Sequence, residues 1–285
     1  MKDTPKEIEE RTGIPISSIS RAQIRALAEG AEEKMPEIIS TQGLTKNFDG
    51  LVAVNQVDFH VAEGETTGLI GPNGSGKTTL FNLLSGYLPA SAGRVNFRGQ
   101  DVTALQPHVR AAMGMARTFQ LVSVFNSMTV WENLALSSIR FKQAEHSLGN
   151  FYLRPAQRKE VLEACRQALA AVNLESKAGH KTVELSYGDK RMLELAMALS
   201  LRPKLLLLDE PLSGLSDREV AEVVELLQRV RKDFSLVIIE HKISKIIDLA
   251  DRLCVMNEGC IICEGKPSQV LSDGRVRECY WGKET

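Results

Sequence analysis

The chain has 285 residues, 43% hydrophobic and 25% charged, which supplies enough apolar material for one large domain or two unequal ones. Its 35 Lys and Arg face 36 Asp and Glu, a formal net charge of -1 that leaves no electrostatic footprint for nucleic acid as the main partner. No apolar run of about 18 residues occurs, and Met1 to Glu7 lacks a signal peptide's apolar stretch, so neither a membrane span nor export is expected.

Residues 1–35 are polar and broken by Pro5, Gly13 and Pro15; they read as a loosely ordered arm, with Ser20 placed to cap a short helix from Arg21 to Glu29. Ile38 to Phe48 and Val52 to Val61 alternate as strands do, with turns at Asp49-Gly50 and Glu63-Gly64. Thr67 to Ile70 is a short buried strand that runs into a glycine-rich turn and then a helix from Thr78 to Leu84, ended by Gly86 and Pro89. Val95 to Phe97 follows as a strand.

The middle of the chain changes character. Val130 to Ile139 reads as a helix with Thr129 as cap and Glu132 three residues later, and Arg158 to Val172 as a second helix with one apolar side. Residues 141–155 are the least regular stretch and read as a surface loop. From Leu185 the mixed pattern resumes: a helix from Arg191 to Leu201, a buried strand Leu205 to Leu208, an amphipathic helix Glu219 to Lys232, a strand Ser235 to Ile239, and a helix Ile243 to Ala250. Arg252 to Met256 and Cys260 to Cys263 form a hairpin across Asn257-Glu258-Gly259. Strands alternating with helices predict a mostly parallel sheet covered on both faces. The five cysteines are too few and too scattered for a disulfide framework, and Cys260-x-x-Cys263 has no second half, so a short strand in a reduced protein is expected rather than zinc or redox chemistry.

Gly71-Pro72-Asn73-Gly74-Ser75-Gly76-Lys77-Thr78 matches the complete phosphate-loop pattern in its proper context of strand, loop and helix. Small residues let the backbone curl so that successive N–H groups and a helix N-terminus face an anion. Lys77 can neutralise β- and γ-phosphates, Thr78 can place its hydroxyl on magnesium, and Thr79 can add a phosphate contact. The apolar strand Leu205 to Leu208 ends in Asp209-Glu210, at the sheet edge where open α/β folds bind ligands. Asp209 is expected to hold the magnesium through water, and Glu210 to polarise the attacking water beside the γ-phosphate.

With these motifs the chain resembles the ABC-transporter ATPases over roughly residues 38–282. The resemblance implies an α/β P-loop NTPase core with an antiparallel β subdomain and an inserted helical subdomain: an arm at 1–35, the first part of the core at 36–120, the helical insertion at 121–184, and the rest of the core at 185–285. Gln120, in Arg117-Thr118-Phe119-Gln120, matches the family's glutamine that reaches magnesium and the water and senses the membrane partner. Leu185-Ser186-Tyr187-Gly188-Asp189 resembles the signature, whose serine hydroxyl and glycine amide at a helix start hold a γ-phosphate. Tyr187 stands where glycine is usual and Asp189 where glutamine is usual; the carboxylate is tolerable if it points outward or pairs with Arg191. His241 matches the switch histidine, Phe48 the aromatic that stacks on adenine, and Ser213 to Asp217 the loop that crosses to the other subunit, with Ser216 in place of a frequent aspartate.

The segments at 117–120, 185–188 and 211–215 and the ending Tyr280-Trp281-Gly282 are similar to ATPases of branched-chain amino-acid or urea and amide importers. That resemblance implies ATP and Mg2+, a second ATPase subunit (the same chain or another), two membrane permeases, a substrate-binding protein acting indirectly, and a peripheral place on the cytoplasmic face of the membrane. Two other readings stay open: a regulatory subunit that binds nucleotide and hydrolyses weakly, and a soluble ABC ATPase of repair or translation.

Overall fold

The protein is described by a computed structural model covering residues 36–119, 122–138 and 155–281. The expected helix at 21–29, the loop at 141–154 and Gln120 lie outside the described residues. Among those residues, no helix is long and apolar enough to cross a membrane.

The first strands form an antiparallel sheet. β1 (Glu37–Phe48) is long enough to serve twice: it pairs antiparallel with β2 (Leu51–Val57) at one end, and with β3 (His60–Ala62) and β5 (Ala92–Phe97) at the other. β6 (Gln100–Asp101) extends the β5 edge. The segment expected as one strand from Val52 to Val61 is therefore two. The break has a physical cause: the buried Thr41 hydroxyl donates to Val57 O at 2.8 Å and accepts from Phe59 N at 2.8 Å, replacing the ladder where the chain changes partner.

The second sheet has the order β11-β10-β4-β9-β8-β7, with β4 (Thr66–Ile70), β7 (Met115–Arg117), β8 (Leu205–Asp209), β9 (Ser235–Ile239) and β10 (Arg252–Asn257) parallel and β11 (Cys260–Gly265) antiparallel at the edge. β4, β8 and β9 are buried along their whole length, as apolar strands covered on both faces must be. Alternation divides them between two cores. Leu205, Leu207, Val237, Ile239 and Leu69 pack toward the antiparallel sheet and α1 (Lys77–Ser85), whereas Leu206, Leu208, Leu236, Ile238 and Ile70 pack toward the other helices. Those include α3 (Val130–Ser138), α4 (Pro155–Ala171), α5 (Tyr187–Ser200) and α6 (Asp217–Val230); α2 (Pro107–Ala112) precedes β7.

Local chemistry sets the helix ends. Thr129 and Glu132 exchange the reciprocal capping bonds that their spacing predicts, at 2.7 and 3.1 Å. α1 stops at Gly86, and the buried Arg110 donates to its last carbonyls, Leu83 O and Leu84 O, at 2.7 and 2.6 Å. Burial pushes that guanidinium down to about 10, against the charge of Asp101. α5 begins four residues before the expected Arg191, because Ser186 is its N-cap. α7 (Ile243–Ile246) is shorter than the expected Ile243 to Ala250. Two C-terminal helices unread in the sequence, α8 (Pro267–Ser272) and α9 (Gly274–Trp281), close the chain. On β11 the two thiols of Cys260-x-x-Cys263 meet different groups, Asn55 O and Asp273 Oδ2.

Candidate functional site

The loop from Gly71 to Gly76 joins the end of β4 to the start of α1. Gly76 is the N-cap of α1 with φ of 102°, and a Cβ there would lie 2.4 Å from Ala53 O, so only glycine fits. No side chain caps this helix, which leaves its first amides free for an anion. Asn73, Gly74 and Thr78 are exposed, Pro72, Gly76 and Thr79 are partly so, and Gly71, Ser75 and Lys77 are buried. The Lys77 ammonium donates to Gly71 O at 2.8 Å, Pro72 O at 2.9 Å and Ser75 Oγ at 3.3 Å. Its pKa is lowered by burial, with the charges of Glu210 and Asp209 opposing, so both acids lie near the cradle.

The loop is braced from behind. Gly259 N donates to Ser75 O at 3.0 Å, and Asn55 N to Gly259 O at 2.9 Å, so the β10–β11 hairpin and β2 hold it. Tyr280 of α9 also reaches it: burial pushes the phenol up to about 12, against a hydrogen bond from the Gly71 backbone.

Asp209 and Glu210 end β8. Asp209 is 2% exposed; its Oδ2 accepts from Arg117 Nη2 at 3.0 Å, while its buried Oδ1 has no hydrogen-bond partner among the described residues. Burial raises its pKa despite Arg117. A bare buried carboxylate oxygen is costly by itself. Together with the exposed Thr78 hydroxyl at the helix start, it is the oxygen donor set a hard divalent cation takes, so these residues fit Mg2+. Glu210 has a positive φ of 49°, a strained turn, and its Oε1 lies 3.0 Å from Nε2 of His241, the second residue after β9. Between them, the buried Glu240 accepts from Leu212 N at 2.7 Å, His241 N at 3.1 Å and Lys242 N at 3.4 Å. Phe48 lies at the end of β1, 41% exposed, with Lys46 Nζ 5.0 Å from its ring centroid.

Ser186 and Gly188 stand at the start of α5, with other neighbours. Ser186 Oγ accepts from Asp189 N at 3.1 Å. A Cβ on Gly188 would meet Glu219 Oε1 at 2.0 Å, so the carboxylate at the start of α6 occupies that space. Ser216, where aspartate is frequent, caps α6 in a full capping box with Glu219. Asp189 does not pair with Arg191: its Oδ2 lies 2.6 Å from Lys177 Nζ. Burial alone would raise the Asp189 pKa, but hydrogen bonds from Lys177 and Ser186 and the Lys177 charge hold it below the usual value. Arg191 is fully buried and donates instead to Glu194 Oε2 at 2.7 Å, Phe119 O at 3.0 Å and Glu210 O at 3.4 Å.

The sequence motifs thus come together as the cradle, Asp209 and the Glu210–His241 pair at the C-terminal edge of the parallel strands. The sequence reading gave Arg117, Glu240 and Lys177 no role of their own. The available signal was a charged residue closing a strand that runs beside the all-leucine strand, which demands a buried partner.

A strand, glycine loop and helix beside acids at the carboxyl edge of a parallel sheet define a P-loop nucleotide-binding fold. Residues 54–213 match the family described as ABC transporter. The chain is 35% identical over 251 residues, 86% of its length and 98% of the relative's, to the high-affinity branched-chain amino acid transport ATP-binding protein BraF of Pseudomonas aeruginosa. To the corresponding LivG protein of Escherichia coli it is 36% identical over 252 residues, again 86% of this chain and 98% of the relative. Among solved structures, the ADP conformation of an ATP-binding cassette of an ABC transporter superposes with a TM-score of 0.75 at 34% identity, covering 87% of this chain and 99% of that one. The chain belongs to the ABC transporter family, as an ATP-binding and ATP-hydrolysing subunit of its transport motors.

Proposed function

We infer that this subunit drives import of branched-chain amino acids, working on the cytoplasmic face beneath two permease subunits and beside a second ATPase subunit. The observation that carries the chemistry is the meeting of Lys77, Asp209, Glu210 and His241 at one sheet edge. The cargo is taken from the names of the relatives in Pseudomonas aeruginosa and Escherichia coli. Urea and short amides are the second cargo class, suggested by the sequence segments shared with those importers.

In this reading, ATP lies on the amides of Gly74 to Thr79 with adenine against Phe48, and Lys77 leaves its carbonyl partners for the β- and γ-phosphates. Thr78 and Asp209, with Gln120, would hold Mg2+, which when bound spreads the charge of those phosphates. Glu210 takes the proton of the water that attacks the γ-phosphorus, the bond from that phosphorus to the β–γ bridging oxygen breaks and ADP leaves, while His241, 3.0 Å from the carboxylate, fixes it and the γ-phosphate. Ser186 and Gly188 close the γ-phosphate site of the second subunit. ATP then favours the closed pair, and loss of phosphate reopens it, which supplies the affinity difference that moves the permeases.

The test is uptake by vesicles holding the chain, its permeases and a binding protein. Labelled leucine should enter with ATP inside, and Lys77→Ala should abolish both uptake and phosphate release. ATP-driven uptake of urea without leucine would overturn the cargo, and full phosphate release by Lys77→Ala would overturn the site.

A further inference from the structure

Arg117 closes β7, the edge strand of the six-stranded sheet, and its side chain is 5% exposed. A guanidinium cannot shed its proton in such a place, and although its Nε meets no hydrogen-bond partner among the described residues, the two Nη atoms must find acceptors. Its fork spans three of them. Nη1 donates to Asn82 Oδ1 at 2.7 Å and Ser85 Oγ at 2.9 Å, both on α1, and Nη2 donates to Asp209 Oδ2 at 3.0 Å. The rings of Phe81, Tyr87 and Phe119 surround it with centroids 5.0–5.7 Å from Cζ. The guanidinium therefore joins the helix that carries the cradle to the acid that ends β8.

The pair is lopsided. Had it been a closed structural ion pair, both carboxylate oxygens would be matched. Instead Arg117 holds one oxygen of Asp209 and leaves Oδ1 buried with no partner among the described residues. We propose that Arg117 is a positioning residue: it clamps Asp209 to α1 so that the free oxygen keeps a fixed distance from Thr78 and the phosphate loop. A planar fork is needed because one point charge cannot reach α1 and β8 in fixed directions together. The inference rests on the nucleotide site proposed above.

Mn2+ serves as the probe, titrated by electron paramagnetic resonance into the full chain saturated with ADP, while ADP affinity is measured separately in EDTA. Arg117→Lys keeps the charge and loses the fork. It should lower Mn2+ affinity about tenfold or more, the usual cost of removing a partner that orients a metal ligand, and leave the EDTA affinity for ADP within about twofold. Asn82→Ala keeps both charges and loosens the clamp, so it shifts Mn2+ affinity in the same direction by less. Thermal unfolding checks each variant, and Asn82→Ala decides alone if Arg117→Lys does not fold. Unchanged Mn2+ affinity overturns the proposal, as does an equal loss of ADP affinity in EDTA, which would make Arg117 a support of the loop only. A wild-type chain that bound no ADP would instead bring down the nucleotide site itself.

Discussion

Removing the Lys177 amine tests whether the unusual Asp189 is a defect of the α5 start or a compensated feature. Lys177 Nζ lies 2.6 Å from Asp189 Oδ2, and the two side chains are 41% and 23% exposed. Solvent screens such a pair, so Lys177→Ala should cost only about 0.5–1 kcal/mol of folding stability. Its effect on a bound triphosphate is different in kind. Asp189 is the third residue of α5, and a phosphate seated on the helix amides would lie about 6–8 Å from its carboxylate. Against roughly two phosphate charges at an effective dielectric of about 60, the unmasked carboxylate costs about 1.4–1.8 kcal/mol, or about ten- to twentyfold in affinity.

The assay is ATP-driven association of the Glu210→Gln chain, followed by sedimentation at low and high salt. Adding Lys177→Ala should weaken association about ten- to twentyfold at low salt and less at high salt. Adding Asp189→Gln to that variant should restore it, because no charge then remains to mask. Association unaffected by Lys177→Ala, or a triple variant as weak as the double one, would refute the compensation.

Three further outcomes follow from the geometry. Glu210→Gln keeps an acceptor or donor 3.0 Å from His241 but loses the base, so phosphate release should fall about 100- to 10,000-fold while ATP binding persists; near-normal release in a single-turnover assay removes Glu210 from that role. Ser216→Ala breaks the capping box of α6 and should cost about 1 kcal/mol, seen as a lower urea midpoint; an unchanged midpoint shows the cap to be idle. The depressed Asp189 pKa gives a signed pH effect: the native state binds that proton less readily than the unfolded chain, so the pair's contribution is complete above the ordinary carboxylate range and is lost as pH falls through the depressed value. Lys177→Ala should therefore show less of its stability deficit in acid than at neutral pH when unfolding is followed across that range.

The parts of the site legible in the sequence are those whose geometry is local. Gly71 to Thr78 declare a loop because glycine, lysine and threonine occur at fixed offsets between a strand and a helix. Asp209 and Glu210 are legible because four leucines before them can only be a buried strand. What was not legible joins distant residues. Arg117 and Asp209 are 92 positions apart, and Thr41 breaks the β2–β3 stretch from 16 and 18 positions upstream. Asp189 is two positions from Arg191 but 12 from Lys177, and the choice between them turns on burial: Arg191 faces inward to Phe119 O and Glu210 O, which leaves the partly exposed Lys177 as the cation it meets.

Strand order explains how these pieces act as one. β9 lies between β4 and β8, so His241 leaves the sheet between the phosphate loop and Glu210. Glu240 then binds the two acidic-edge loops together, since its buried carboxylate accepts from Leu212 N after β8 and from His241 N after β9. Burial raises its pKa, and hydrogen bonds from the Leu212, Lys242 and His241 amides oppose that rise. A charged acceptor matched this way is worth about 1.5–3 kcal/mol per bond, too much for the loops to move separately at little cost. The loop from Leu212 also carries Gly214, where an added Cβ would be 3.1 Å from the Tyr187 ring at the start of α5. In the proposed closed pair, a displacement of α5 toward a phosphate of the second subunit would press, through the Tyr187 ring, on the same loop that Glu240 fastens to His241.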